Sequence, residues 1–192
     1  MGLLNHDLVT GIRPAKGKLL VAEPLMGDPD FARTVILICE HGADGTIGFV
    51  MNRPLPRSLH QLIPEMAEMS MSVYEGGPVQ TETLHLLHRM PELLGGVEIL
   101  PGLFWGGSYE ALLQARLSPT FDSEAIRFFV GYSGWESGQL EAELNDQAWM
   151  VANAPDNIVF HHNSKQVWQE AIRSLGSGFE HLAHWPIDPQ LN

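Results

Sequence analysis

The chain has 192 residues, and its 23 Asp and Glu against 11 Lys and Arg give a formal net charge of −12. Hydrophobic residues make up 44% of the chain, enough for one sizeable core, while the acidic balance argues against direct nucleic-acid binding. The single cysteine excludes an internal disulfide, and no apolar run approaches the ~20 residues that a bilayer span needs. We therefore expect a cytoplasmic globular protein without a membrane partner.

Residues 1–16 contain few apolar side chains and show no clear period, which predicts a loose N-terminal arm. From Gly17 onward, short apolar runs alternate with Pro and Gly, and neither a linker nor an internal repeat interrupts them. The sequence therefore predicts a single domain over residues 17–192.

The first predicted strands form a hairpin. Residues 18–23 are typical of a strand, and residues 34–40 are apolar on both faces, as in a central strand. Asp44 and Gly45 then favour a tight turn into a partner strand at residues 46–51. Two residues that face each other across this hairpin have numbers that sum to about 87–89. With this pairing, polar side chains gather at the open end of the hairpin, which we call its base, and at the turn, which we call its tip.

Four polar residues are expected at the base of this hairpin. Two arginines and an amide can clamp a carboxylate or a phosphate there. Alternatively, Asp28 pairs with Arg33 to stabilise a loop, and Asn52 ends the strand. We take the base as the candidate ligand-binding site and add two residues near the C-terminal half of the chain. The candidate contacts are Asp28, Arg33, Asn52, Arg53, Trp135 and Gln139.

Downstream, short strands alternate with short helices. Strands are predicted at residues 83–88, 97–100, 103–105, 126–132, 148–152 and 158–161. Helices are predicted at residues 58–66, 108–117 and 136–144 and, most clearly, from an N-cap at Ser164 to a stop at Gly176. Because hairpins outnumber βαβ crossovers, we expect an α+β fold with a largely antiparallel, curled sheet and flanking helices.

Cys39 and His41 stand at i and i+2 on one predicted strand, so their side chains are expected on the same face. An imidazolium beside the thiol would lower the pKa of Cys39 and support a redox role, or an enzymatic one that includes Glu40. The alternative is a buried Cys39 on the apolar face that it shares with Leu37, which is the usual position of a free cysteine.

The sequence predicts no metal site, no cofactor and no complete catalytic set. His85 and His88 are three residues apart on a strand and point to opposite faces, and no H-E-x-x-H motif occurs. The segment around Ser133 has Trp135 where a nucleophile elbow requires glycine.

These observations favour a non-enzymatic binding or regulatory module that acts through a protein or a small anionic ligand. An enzyme or redox sensor using Cys39 with Glu40 and His41 is the alternative. A third hypothesis is an acidic face that meets a basic partner protein; its residues are Glu136, Glu141, Glu143 and Asp146.

Four ordered segments resemble the YqgE/AlgH family of bacterial proteins: residues 17–41, 45–55, 75–79 and 131–144, of which the second reads GTIGFVMNRPL. The resemblance covers nearly the whole chain from Gly17, and it implies an α+β fold with a bifurcated sheet rolled into a pseudo-barrel. It implies no established activity, although some members are labelled transcriptional regulators through a link to alginate control in one lineage. Relatives commonly have alanine at the position of Ser133.

A basic recognition helix is absent from the sequence, and the net charge is −12. We therefore expect any regulation to be indirect, through a protein or a small ligand and not by direct DNA binding.

Overall fold

The computed structural model describes residues 10–67, 69, 71–155 and 157–185. Residues 1–9 of the predicted arm and residues 186–192 of the predicted domain lie outside this part. The rest of the arm contacts the fold, since the Thr10 hydroxyl donates to Val151 O at 2.6 Å. Within the described residues, no helix is long and apolar enough to cross a bilayer.

Ten strands and four α-helices make up the described part of the chain. The strands are β1 (Lys18–Ala22), β2 (Val35–Gly42), β3 (Gly45–Val50), β4 (Pro54–Ser58), β5 (Ser72–Glu75), β6 (Val79–His88), β7 (Val97–Leu100), β8 (Leu103–Trp105), β9 (Ile126–Trp135) and β10 (Trp149–Asn153). The helices are α1 (Pro91–Leu94), α2 (Tyr109–Ala115), α3 (Gln139–Asn145) and α4 (Ser164–Ser174).

The sheet follows the order β10-β1-β2-β3-β9-β6-β8-β7 and forks at β9. One edge of β9 pairs with β6, while its other edge pairs first with β5 and then with β3. Gly131, with φ of 67°, lies between these two stretches. All neighbours along the main path are antiparallel, and only β5 runs parallel to β9. The predicted α+β fold with a bifurcated, largely antiparallel sheet is confirmed; the sheet is curled but not closed.

The predicted hairpin is also confirmed, because β2 and β3 meet at Gly42 and Gly45. A β-bulge between Ile38 and Glu40 adds one residue to β2 and reverses the side-chain alternation beyond it. Cys39 therefore packs in the core with Leu37, whereas His41 lies on the opposite face beside α3. The prediction that Cys39 and His41 share a face is wrong.

Helices cover both faces of the sheet. The predicted apolar stripe of α4 packs into the main core, where Trp168 and Ile172 contact residues of β1 and β2. Leu140 of α3 packs on the opposite face against Ile36 and Ile38. Helices α1 and α2 close a third cluster over β6 and β9. The sheet therefore carries α3 and α4 on opposite sides.

Three predicted elements differ from the structure. The strand expected at residues 158–161 is absent, since residues 157–160 form a turn and residue 161 has no regular structure. The helix expected at 58–66 is two 3-10 turns, at Leu59–Gln61 and Pro64–Met66. Pro64 has no N–H for a continuous helix. Helix α4 begins at Ser164, one residue earlier than expected, because Asn163 and not Ser164 is its N-cap and accepts from Lys165 N.

Candidate functional site

Two clefts flank Trp135 beside α3. The tip cleft, about 620 Å³, lies at the β2–β3 turn, and the loop cleft, about 580 Å³, lies between α3 and the segment 23–31. Trp135 and Gln139 line both clefts. These two sequence-predicted contacts therefore lie together, and Asp28 joins them in the lining of the loop cleft.

Three aromatic rings form a wall of the loop cleft. The rings of Trp135 and Trp149 meet edge to face with centroids 5.9 Å apart. Phe31 lies 5.5 Å from Trp149 and 6.2 Å from Trp135, again measured between centroids. The three residues come from the 28–33 loop, the end of β9 and the start of β10, so the wall depends on tertiary folding.

The carboxylate of Glu143 holds the two indoles in place. Its Oε2 accepts hydrogen bonds from Trp135 Nε1 and Trp149 Nε1, each at 2.8 Å. Its Oε1 accepts from Gln139 Nε2 at 3.0 Å, and Gln139 Oε1 accepts from Glu136 N at 3.0 Å. Because both indole donors are satisfied by one side chain of α3, the ring positions are tied to that helix.

The ionisable side chains around the two clefts are almost all acidic. Among the described residues, those lining the loop cleft are Glu23, Asp28, Glu143 and Asp146, and those lining the tip cleft are Glu40, His41, Asp44, Glu136 and the phenol of Tyr132. His41 lies 3.9 Å from the Glu141 carboxylate. Burial raises the pKa of Glu23, while a hydrogen bond from Leu25 N and the charge of Arg33 oppose this effect. Neither lining therefore favours an anion.

The predicted base cluster is present, but its side chains brace a loop. Asn52 Oδ1 accepts from Val35 N at 3.0 Å, and Asn52 Nδ2 donates to Arg33 O at 2.8 Å. Arg53 donates to Asp30 O and, at 2.9 Å, to Pro29 O. These contacts hold the 28–33 loop that carries Phe31 to the loop cleft.

The Arg33 side chain contacts Trp168 and Trp185, two residues outside the loop that Asn52 and Arg53 hold. Its guanidinium lies 4.0 Å from the centroid of the Trp168 ring and donates to Trp185 O at 2.8 Å. Burial lowers the pKa of Arg33, and the nearby charge of Glu23 opposes this. Asp28 Oδ1 accepts from Asp30 N at 2.9 Å and so shapes the same loop. Arg33 and Arg53 therefore engage separate parts of the chain.

The structure also separates the three residues of the redox hypothesis. Cys39 is 2% exposed, and burial raises the pKa of its thiol. Glu40 and His41 line the tip cleft, whereas Cys39 does not. Among the described residues, no group of three His, Cys, Asp or Glu is arranged to hold a metal ion.

Sequence reasoning missed the joint role of Phe31, Trp149 and Glu143. The sequence places Glu143 in the hypothesis of an acidic face, and it indicates no role for Phe31 or Trp149 at the site. One signal was available, because Gln139 and Glu143 are spaced i, i+4 and so share a helix face. The approach of the 28–33 loop to that face is non-local, and nothing in the local sequence indicates it.

Curated relatives match almost the whole chain. A UPF0301 protein of Chlorobaculum tepidum is 40% identical over 177 residues, which cover 92% of this chain and 95% of the relative. A UPF0301 protein of Bacteroides thetaiotaomicron is 34% identical, with coverage of 94% and 93%.

Solved structures agree with the fold. The crystal structure of a Corynebacterium diphtheriae protein has a TM-score of 0.77 at 25% identity and covers 91% of this chain and 94% of that chain. The solution structure of AlgH from Pseudomonas aeruginosa has a TM-score of 0.70 at 32% identity, with coverage of 89% and 94%. The AlgH-like family model matches residues 19–180. The resemblance seen in the sequence is thus confirmed, and the chain belongs to the AlgH-like family.

Proposed function

We propose that this protein is a non-enzymatic binding module that holds a cationic segment of a partner protein in the tip and loop clefts. The observation that carries the proposal is the loop cleft itself: an aromatic wall held by Glu143, with acidic side chains as its ionisable lining among the described residues. Of the three hypotheses from the sequence, the acidic face that meets a basic partner agrees best with this lining.

The chemistry of the loop cleft suits a lysine ammonium or an arginine guanidinium. A cation over an aromatic face gains about 0.5–2 kcal/mol, depending on how far it is desolvated. The carboxylates of Asp28 and Asp146 lie in the same lining and can accept charge-assisted hydrogen bonds. Of the three rings, that of Phe31 is partly exposed, so one cationic side chain can meet this ring and a carboxylate together.

The wall is already ordered before a ligand arrives. Glu143 satisfies both indole N–H groups, and Asn52 and Arg53 hold the loop that carries Phe31. A preorganised site lowers the entropic cost of binding, because fewer side chains have to be immobilised. The hydrogen bonds of the base cluster thus support the loop cleft. This structural role accounts for the polar side chains of the cluster without a bound anion.

The two clefts can serve one extended segment. They share Trp135 and Gln139, so a chain that crosses this boundary can place one cationic side chain in each. The net charge of −12 also favours encounter with a basic partner.

Any effect on transcription would then pass through a bound protein. The single, buried free cysteine supports a cytoplasmic location for this binding.

A peptide-binding measurement tests the proposal. Asp28→Asn with Asp146→Asn removes two charges from the loop cleft, and Glu82→Gln with Glu92→Gln removes two exposed charges elsewhere as the matched control. Anisotropy of a labelled peptide of alternating Lys and Gly reports affinity at fixed low salt. Two exposed ion pairs contribute about 0.5–1 kcal/mol each, together about 1–2 kcal/mol, so the cleft variant is expected to bind about five- to thirtyfold more weakly.

The control variant is expected to retain most of the wild-type affinity. Equal losses in both double variants would show that net charge, and not the cleft, attracts the peptide. Equal binding of a peptide with Glu in place of Lys would exclude a cation site altogether.

A further inference from the structure

A third cavity lies away from the acidic clefts. It has a volume of about 250 Å³ and is bounded by β5, the start of β9 and the turn at residues 160–162. Arg127 of β9 lines it and is 8% exposed. The Arg127 guanidinium lies 4.3 Å from the centroid of the Tyr74 ring and donates to Met51 O at 3.2 Å and His161 O at 3.0 Å.

The charge of Arg127 has no counter-ion among the described residues. No carboxylate there lies within ion-pair distance of its guanidinium, and burial lowers its pKa. An arginine nevertheless stays protonated, and a buried unpaired charge is costly. Two of its five N–H groups donate to the carbonyls named above, which leaves three for another acceptor.

Three hydroxyl groups line the same cavity. The side chains of Ser72, Tyr74 and Ser123 make no hydrogen bond to any other described residue. At the rim, His162 lies 3.9 Å from Glu124, and both side chains are largely exposed. Among the described residues that line it, the cavity thus combines the positive charge of Arg127 with three hydroxyl donors, and the one carboxylate belongs to the exposed Glu124.

We propose that this cavity binds a phosphate group, with Arg127 as its counter-charge and the hydroxyls of Ser72, Tyr74 and Ser123 as further donors. A guanidinium can engage two phosphate oxygens, and the hydroxyls serve the remaining oxygens. The volume is below the ~300 Å³ at which cavities take drug-sized ligands, so it suits a phosphate group and not a whole nucleotide. The site is separate from the proposed cation clefts and stands independently of them.

Titration of the full chain with inorganic phosphate tests the proposal. At constant ionic strength in chloride, the backbone amide signals of Ser72 and Ser123 are followed by NMR. Saturable shifts in the millimolar range are expected for the wild type. Ser72→Ala with Ser123→Ala removes two exposed hydroxyls without touching the core and is expected to weaken binding about tenfold. Ser177→Ala, at an exposed position elsewhere, is the control and is expected to leave binding unchanged.

A phosphoserine peptide in place of phosphate distinguishes the two sources of the group. Tighter binding of the peptide indicates a phosphorylated chain, and equal or weaker binding indicates free phosphate. The proposal is overturned if phosphate causes no saturable shifts beyond those in chloride, or if the Ser72/Ser123 variant binds as the wild type does. Arg127→Lys keeps the charge but loses the planar fork, and it is expected to bind more weakly than the wild type while remaining folded.

Discussion

At the scale of single residues, Glu143 is the side chain on which the aromatic wall depends most. Replacement by alanine leaves the indole N–H groups of Trp135 and Trp149 without their acceptor, in residues that are 5% and 2% exposed. A buried donor without a partner costs about 1–3 kcal/mol, so Glu143→Ala is expected to lower the free energy of unfolding by at least that amount. Urea denaturation followed by tryptophan fluorescence measures the loss.

Glu141→Ala is the matched control on the same helix. Glu141 is exposed and lies 3.9 Å from His41, so its removal is expected to change stability by less than about 0.5 kcal/mol. Similar losses in the two variants would show that the indole hydrogen bonds contribute little.

His88 gives the protein a pH-dependent stability. It is fully buried; its Nδ1 accepts from Met90 N at 3.1 Å, and its Nε2 lies 3.0 Å from Gly106 O. This pair of contacts requires a neutral ring with its proton on Nε2. Burial lowers the pKa of His88, although the Gly106 carbonyl opposes this effect.

Because the pKa of His88 is lower in the folded protein than in the unfolded chain, the unfolded chain binds more protons at acidic pH. The free energy of unfolding is therefore expected to fall as the pH drops below about 6.5, the ordinary pKa of histidine. Burial also lowers the pKa of His85, so His88→Asn should reduce this slope without abolishing it. Urea midpoints at a series of pH values measure the slope. An equal slope in wild type and variant would contradict the assignment to His88.

At the scale of elements, Asn52 ties the end of β3 to the beginning of β2. It accepts from Val35 N and donates to Arg33 O, and it thereby braces the loop that carries Phe31. Asn52→Ala removes both bonds and is expected to cost about 1–3 kcal/mol of unfolding free energy. Asn52→Asp keeps an acceptor for Val35 N and loses the donor, so an intermediate loss is expected.

Thermal and urea unfolding of the two variants measures whether the aspartate variant loses less stability than the alanine variant. An Asn52→Ala protein as stable as the wild type would show that the brace is dispensable. A loss larger for aspartate than for alanine would point instead to repulsion between the new carboxylate and the Arg33 carbonyl.

At the scale of the whole molecule, local patterns in the sequence predict the elements better than their assembly. The Asp44-Gly45 turn and the apolar stripe of α4 are local signals, and both are confirmed. The bulge at Cys39 has no such signal, because it depends on how β3 meets β2. It separates Cys39 from His41, and it moves His41 towards α3.

The candidate site was predictable only in part, for the same reason. Trp135 and Gln139 lie in one motif, and both line the clefts. The arginines of the base cluster were placed correctly at the hairpin base, but the loop carbonyls that accept from Arg53 and the ring beneath Arg33 come from other segments. Side-chain charge alone therefore indicated an anion, whereas the assembled clefts are acidic.

The NMR signals of the indole N–H groups of three tryptophans test the cation-binding account most directly. Titration with the Lys–Gly peptide is expected to shift the signals of Trp135 and Trp149 in a saturable way, since both rings line the loop cleft. Trp168 donates to Ala22 O in the core and is expected to stay unchanged as an internal reference. Shifts that are equal at all three tryptophans, or absent at Trp135 and Trp149, would contradict the account.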